Sequence, residues 1–296
     1  MNELRRFRLD RRAVVRSFNR ASAAYDLAAR LQTEVTAELL ERLQFFQVEP
    51  SVILDLGCGT GLGAAALRRR FRRAQVCALD AAFAMTQRAR QRQRFWRRYA
   101  CICADGIALP LRAQSVDLVF SSLMLQWCDD LPAVFAEVQR VLRPGGLLLF
   151  STFGPDTLQE LRAAWAAADQ GSHVSQFADM PLLGEAMAHA GLAEPVMDRE
   201  LKCDHHGEVR GLLTQLRSIG ARHAAEDRRR ALTGRNRWRA MLAAYEKLRT
   251  PAGLPATWEV IYGAAFAGQR RSESDADRRE VIVPLSAVRR GGGAPA

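Results

Sequence analysis

From Val52 to Leu56 the chain reads Val-Ile-Leu-Asp-Leu, then enters Gly57-Cys-Gly-Thr-Gly-Leu-Gly63. A short apolar run ended by glycines is the pattern of a strand buried on both faces that turns into a helix. The glycines accept positive φ and let backbone amides approach a ligand closely. Read alone, Gly59-Thr-Gly61-Leu-Gly-Ala64 satisfies the dinucleotide pattern G-x-G-x-x-G/A, and Asp80 closes the next apolar run where an acid would hold ribose hydroxyls. Asp55 points elsewhere. Its carboxylate stands two positions before Gly57, beside the loop, where a pyrophosphate is repelled and an ammonium is attracted.

The flanking pattern supports an open α/β sheet. Apolar runs at 52–57, 75–80, 99–103, 116–122 and 146–153 alternate with helical spacing at 61–71, 83–95 and 131–142. This is the rhythm of βαβ units on a parallel sheet. Before the first strand, Leu31, Val35, Leu39, Leu43 and Phe46 form a helical stripe over 27–46. After the fifth strand, helices are expected near 156–169 and 181–190, and strands at 194–202 and 257–266, with a helical insertion between them at about 204–250. The expected organisation is an N-terminal helical segment 1–49, a cofactor-binding domain 50–267 and a disordered tail 268–296, in which Val281–Val283 could add a strand.

Three acids mark the ends of three successive strands: Asp55, Asp80 and Asp105. In that order they suit an ammonium, a ribose diol and an adenine amino group, the groups of S-adenosylmethionine. With Asp-Leu-Gly-Cys-Gly-Thr-Gly, Ala104-Asp105 and Leu142-Arg-Pro-Gly-Gly146, the chain resembles the class I S-adenosylmethionine-dependent methyltransferases. The resemblance implies a Rossmann-like, seven-stranded doubly wound sheet. It also implies a cofactor site built from Asp55, Gly57, Cys58, Gly59, Gly61, Asp80, Asp105, Gly106 and Ser121.

The appended segments bear on the methyl acceptor. The Asn/Asp-Pro-Pro-Tyr/Phe motif of nucleic-acid amino methyltransferases is replaced by Ser121-Ser-Leu-Met-Leu-Gln-Trp127. Ser17-Phe-Asn-Arg-Ala21, Tyr25-Asp26, Gln126-Trp-Cys-Asp-Asp130, Ser151-Thr-Phe-Gly-Pro-Asp-Thr-Leu158, His173-Val-Ser-Gln-Phe177 and Trp258-Glu-Val-Ile-Tyr-Gly263 together resemble the malonyl-[acyl-carrier protein] O-methyltransferases of biotin synthesis. The resemblance spans about 12–267 and implies methyl transfer to the free carboxylate of a malonyl thioester. In that family the N-terminal helices and the insertion cover the cofactor as a lid. Tyr25 is then expected at the methionine end of the cofactor. Arg20, Arg162 and Arg222 are candidates for a substrate-carboxylate clamp, with Gln126 and His173 as donors. Phe153, Asp156 and Thr157 belong to the wall after the fifth strand. The alternatives are a relative of the complex I assembly factor that hydroxylates an arginine, and a quinone C-methyltransferase.

Composition adds limits. The formal charge is +11, but only Lys202 and Lys247 among 43 basic residues are lysine, an arginine bias that a GC-rich genome produces by itself. A nucleic-acid partner is therefore not expected from charge, whereas an acidic carrier protein would be steered by it. The six cysteines lack paired spacing, so Cys101 and Cys103 read as core residues rather than metal ligands, and a reducing cytoplasm fits. No apolar run is long enough to span a bilayer. The Arg-rich start resembles a mitochondrial presequence, but its continuity with a helix favours a bacterial cytoplasmic protein.

Overall fold

The computed structural model describes residues 9–169, 171–221, 224 and 233–268. In chain order the elements are α1 (Arg11–Ala21), α2 (Tyr25–Ala28), α3 (Arg30–Arg42), β1 (Val52–Leu56), α4 (Leu62–Arg70), β2 (Gln75–Asp80), α5 (Phe83–Arg92), β3 (Ala100–Cys103), β4 (Val116–Ser122), α6 (Leu131–Val141), β5 (Leu142–Phe153), α7 (Gln159–Ala166), α8 (Met180–His189), β6 (Leu192–His206), α9 (Val209–Ser218), α10 (Arg235–Glu246) and β7 (Leu254–Ala267). The strands form one sheet in the order β3-β2-β1-β4-β5-β7-β6, with β7 antiparallel to both of its neighbours. The expected seven-stranded α/β fold is present.

The chain leaves β1 toward β2 on one side and returns to β4 on the other. Beyond the carboxyl ends of β1 and β4 the loops therefore diverge and open a crevice, the usual ligand position in such sheets. Helices cover both faces. On one, Val35, Leu39 and Leu43 pack with Ile53, Phe120 and Leu147; on the other, Phe135, Val138 and Leu183 pack with Leu54, Val119 and Phe150. Helix starts are fixed by side-chain caps: Asp10 accepts from Ala13 N, Asp130 from Ala133 N and Asp179 from Leu182 N, the last two with proline in the first turn.

The departures from expectation are local. The helix expected over 83–95 stops at Arg92, because a turn closed by Arg97 N donating to Arg94 O at 2.9 Å takes over. The helix expected from 156 starts at Gln159, since Leu158 is held at φ 55° with its N–H on Thr257 O at 2.7 Å. The fifth strand begins at Leu142 opposite Val116. It then bulges before Leu147 meets Leu118, where Pro144 lacks an N–H and Gly145 has φ 76°. The inserted segment between β6 and β7 supplies α9 and α10. Arg222, Val281–Val283 and nearly all of the expected tail lie outside the described residues.

Candidate active site

Among the described residues, two chambers of the crevice share Tyr25, Gly57, Gly59 and Ser122. The larger, about 880 Å³ with the solvent at its mouth, runs along Leu56, Asp80, Ala81, Asp105, Gly106 and Met124, and α1 roofs it with Val14, Val15 and Phe18. The smaller is polar. Asp55, Cys58, Thr60, Gly63 and Phe120 form its floor, and Asp26, Gln32, Thr33 and Thr36 from α2 and α3 close it.

The turn at the junction explains its glycines separately. Gly57 has φ 75°, and a Cβ there would lie 2.2 Å from Met124 Cγ, inside the shared wall. Gly61, at φ 83°, begins α4 away from both chambers; its Cβ would meet the Tyr99 hydroxyl at 2.7 Å and Ala89 Cα at 2.9 Å. The glycine pattern groups Gly61 with the cofactor contacts, whereas the structure packs it against Ala89 of α5.

The carboxylates differ in their environments. Asp80 accepts Gly59 N at 2.9 Å and Ala82 N at 2.8 Å. Burial pushes its acidity down, so that its pKa rises, and the two amides oppose this. Asp55 is buried, and its Oδ2 has no hydrogen-bond partner among the described residues. Burial raises its pKa to about 7 against the pull of the Ala64 amide, with the charge of Asp80 adding to the rise. A buried, half-served carboxylate of this kind is completed by a cation. Asp105, at the mouth, is ion-paired with Arg11, whose Nε also lies 3.7 Å from Asp129.

At the junction, hydroxyl donors can be counted. Thr36 Oγ1 donates to Gln32 O at 2.7 Å, so across the 3.0 Å contact with Ser122 Oγ it must accept. Ser122 thus spends its proton on Thr36, and at 3.3 Å it accepts from Ser151. One lone pair of Ser122 remains for the crevice. Ser121, named from the sequence, points the other way: its Oγ donates to Leu56 O at 2.9 Å inside the sheet. Strand alternation makes its neighbour Ser122 the lining residue. Tyr25 reaches both chambers. Its hydroxyl carries no hydrogen bond among the described residues, and burial, then the charges of Asp80 and Asp26, keep it protonated well above its ordinary range. Asp26 fastens this segment by accepting Thr60 Oγ1 at 2.6 Å and pairing with Arg92, whose Nε donates to Thr60 O at 2.9 Å.

Of the substrate-positioning candidates, the four among the described residues, Arg20, Gln126, Arg162 and His173, do not line either chamber. Arg162 donates to Pro155 O at 2.9 Å and Thr157 O at 3.0 Å, clamping the loop after β5. His173 stacks on Trp165 with centroids 3.8 Å apart and bonds Asp169 at 2.8 Å. Gln126 turns its amide to Leu123 O at 2.6 Å, and Arg20 is exposed on α1. Thr157 Oγ1 donates to Glu259 O at 3.1 Å, and Phe153 is buried against Trp258. Sequence reasoning missed Arg11, Val14, Phe18 and Ser122 as lining residues. The apolar spacing of Val14, Phe18 and Ala21 was the available signal for the roof. No group of His, Cys, Asp and Glu among the described residues could hold a metal, and all six cysteines are free thiols.

Comparison with known proteins agrees with this geometry. A family model described as a methyltransferase domain matches residues 54–150. A S-adenosylmethionine-dependent methyltransferase of Thermotoga maritima superposes with a TM-score of 0.52 at 15% identity, covering 86% of this chain and 99% of that one. Fold and crevice therefore define a class I methyltransferase with S-adenosylmethionine as methyl donor.

Among curated relatives, the malonyl-[acyl-carrier protein] O-methyltransferase of Gallionella capsiferriformans is 45% identical over 93% of this chain and 96% of its own length. The enzyme of the same name from Methylovorus sp. is 48% identical over 89% and 91%. The chain belongs to the malonyl-[acyl-carrier protein] O-methyltransferase family.

Proposed function

We propose that this protein methylates the free carboxylate of a malonyl thioester carried on acyl carrier protein, forming the methyl ester used in the pimeloyl branch of biotin synthesis. The observation that carries the reading is kinship along nearly the whole chain, including the segments outside the methyltransferase domain, with relatives of that name. Nothing in those relatives favours an arginine hydroxylase or a quinone methyltransferase.

The crevice suits the donor. The unpartnered Asp55 Oδ2 faces the polar chamber, where an amino-acid tail with an ammonium would complete it. Asp80 would hold a ribose diol, and Asp105 with Gly106 the base. Tyr25, Gly57, Gly59 and Ser122 surround the point where the chambers meet. When bound, the cofactor supplies an electrophilic methyl on a sulfonium. Ser122 presents its remaining lone pair to that centre, and Tyr25 presents the uncommitted hydroxyl that can donate to an incoming carboxylate.

A malonyl carboxylate has an acidity like that of Asp or Glu and is ionised at neutral pH, so no base is needed. The residues have to align it, strip its water and leave the methyl as its nearest partner. The roof of α1 excludes solvent from above. It is joined to the inserted segment by Ser17 Oγ donating to Gly220 O at 2.9 Å and by Asp10 N donating to Ala224 O at 2.8 Å, which supports a lid formed by both. The N-terminal segment to residue 49 and the insertion thus act as cover for a domain running to 267. No helix among the described residues is long and apolar enough to cross a membrane, and kinship with biosynthetic enzymes supports a cytoplasmic setting.

Incubation with methyl-labelled S-adenosylmethionine and malonyl-carrier protein should give a base-labile methyl ester on the carrier. Label retained after mild alkali, or transfer to the free acid of no malonyl thioester, rejects the assignment.

A further inference from the structure

The segment between α5 and β3 is not explained by the chemistry above. From Ala81 to Ala104 the chain holds six arginines and no acid. Arg94–Arg97 form a tight turn closed by Arg97 N donating to Arg94 O, and Phe95 and Trp96 occupy its two central positions. These rings are 68% and 86% exposed, meeting edge to face with centroids 4.7 Å apart, while the Arg98 guanidinium lies 5.2 Å from the Phe95 ring. The turn is held from below: Tyr99 is buried with its hydroxyl on Ala89 O at 2.7 Å, and Gln93 Nε2 donates to Tyr99 O at 2.7 Å. Arg92 pairs with Asp26. Among the described residues, Arg88, Arg90, Arg94, Arg97 and Arg98 have no carboxylate partner.

Arginine clusters by themselves are ordinary solvated faces. Two large aromatics fixed at the tip of a turn, ringed by unpaired guanidiniums, are different: their exposure is unfavourable in the isolated chain, and Trp with Arg is the pairing that anchors interfaces. The patch also adjoins the site. Arg92, at its edge, binds Asp26 and Thr60, both of which line the polar chamber.

We propose that the Arg94–Arg97 turn is the docking surface for the acidic carrier protein that delivers the malonyl thioester. This rests on the carrier-bound substrate proposed above. The guanidiniums meet carboxylates on the carrier and the phosphodiester at the root of its pantetheine arm, and the rings cover an apolar spot between them. The thioester is then delivered across the α2 side of the crevice toward Tyr25, leaving the polar chamber to the cofactor's amino-acid tail.

The test compares Phe95→Ala/Trp96→Ala and Arg94→Glu/Arg97→Glu with the unaltered enzyme on two substrates, malonyl-carrier protein and malonyl-N-acetylcysteamine, a small thioester with neither carrier nor phosphate. Each variant should raise KM for the carrier-bound substrate at least tenfold and that for the small thioester less than twofold, with S-adenosylmethionine affinity and Tm unchanged. In the charge-reversed variant the carrier KM should also lose its dependence on salt. Equal changes on both substrates, or none on either, overturn the proposal. So does a dimer of the unaltered protein that Trp96→Ala converts to monomer, since a second copy would then cover the rings. If the unaltered enzyme methylates neither thioester, it is the substrate assignment that fails.

Discussion

The two halves of the crevice are built in different ways. The donor half comes from strand ends and the turns directly after them, so each ligand-facing group lies within a few residues of an apolar run. The acceptor half is assembled from α1, α2, α3, the end of β4 and the inserted segment, with partners as far apart as Ser17 and Gly220. Chemistry placed by local backbone geometry can be read from spacing. Chemistry placed by packing between distant segments cannot.

The sharpest way to break this contrast is at the two glycines of the turn. Gly57→Ala puts a methyl into Met124 at a positive φ and should weaken cofactor binding by about 100-fold, given that strain and overpacking each cost about 1–3 kcal/mol. Gly61→Ala meets Ala89 and Tyr99 instead. It should lower Tm while the fraction that folds keeps its affinity. Calorimetric titration beside thermal unfolding separates the two, and matching affinity losses would put Gly61 back at the ligand.

On the acceptor side, Tyr25→Phe removes an uncommitted hydroxyl at the junction. A hydrogen bond to a charged group contributes about 1.5–3 kcal/mol, so kcat/KM for the malonyl substrate should fall about tenfold or more. The Kd for S-adenosylhomocysteine should stay within twofold. A parallel loss of nucleoside affinity would make Tyr25 a donor-side residue and blur the division.

The succession of strands and helices and the three acids were legible because the period of an apolar strand and the residues ending it are local facts. Within that half the errors concerned orientation: Ser121 and Ser122 are adjacent, and only strand pairing decides which of them faces the ligand. The arginine clamp was not legible. Arg162 has the charge for a clamp, but its guanidinium is spent on Pro155 and Thr157 carbonyls. Arg11 reaches the crevice only because α1 folds over strands that come later in the chain. Arg162→Ala should therefore cost about 1–2 kcal/mol of stability, read from urea unfolding, from two lost hydrogen bonds. The KM for the malonyl substrate should be unchanged. A KM rise without destabilisation would return Arg162 to the clamp.

The smallest effect bears on the electrostatic basis of the donor half. Asp55 has its pKa raised by burial from 3.8 to about 7 in the ligand-free protein. Because the folded value exceeds the unfolded one, the unfolded chain releases this proton first as pH rises. The carboxyl's contribution to stability is therefore full below about pH 4 and declines toward pH 7. An ammonium beside Oδ2 reverses the preference by favouring the charged form. Affinity for S-adenosylmethionine should then increase by about fivefold from pH 6 to near pH 7.4, before the ligand's own amino group, with a pKa of about 7.8, loses its charge. Binding at pH 6.5 should release a proton, visible as a dependence of the calorimetric enthalpy on the ionisation heat of the buffer. Asp55→Asn should abolish the proton release and flatten the acid limb. An unaltered acid limb in that variant would mean that the ammonium sits elsewhere and that Asp55 serves only the amide of Ala64.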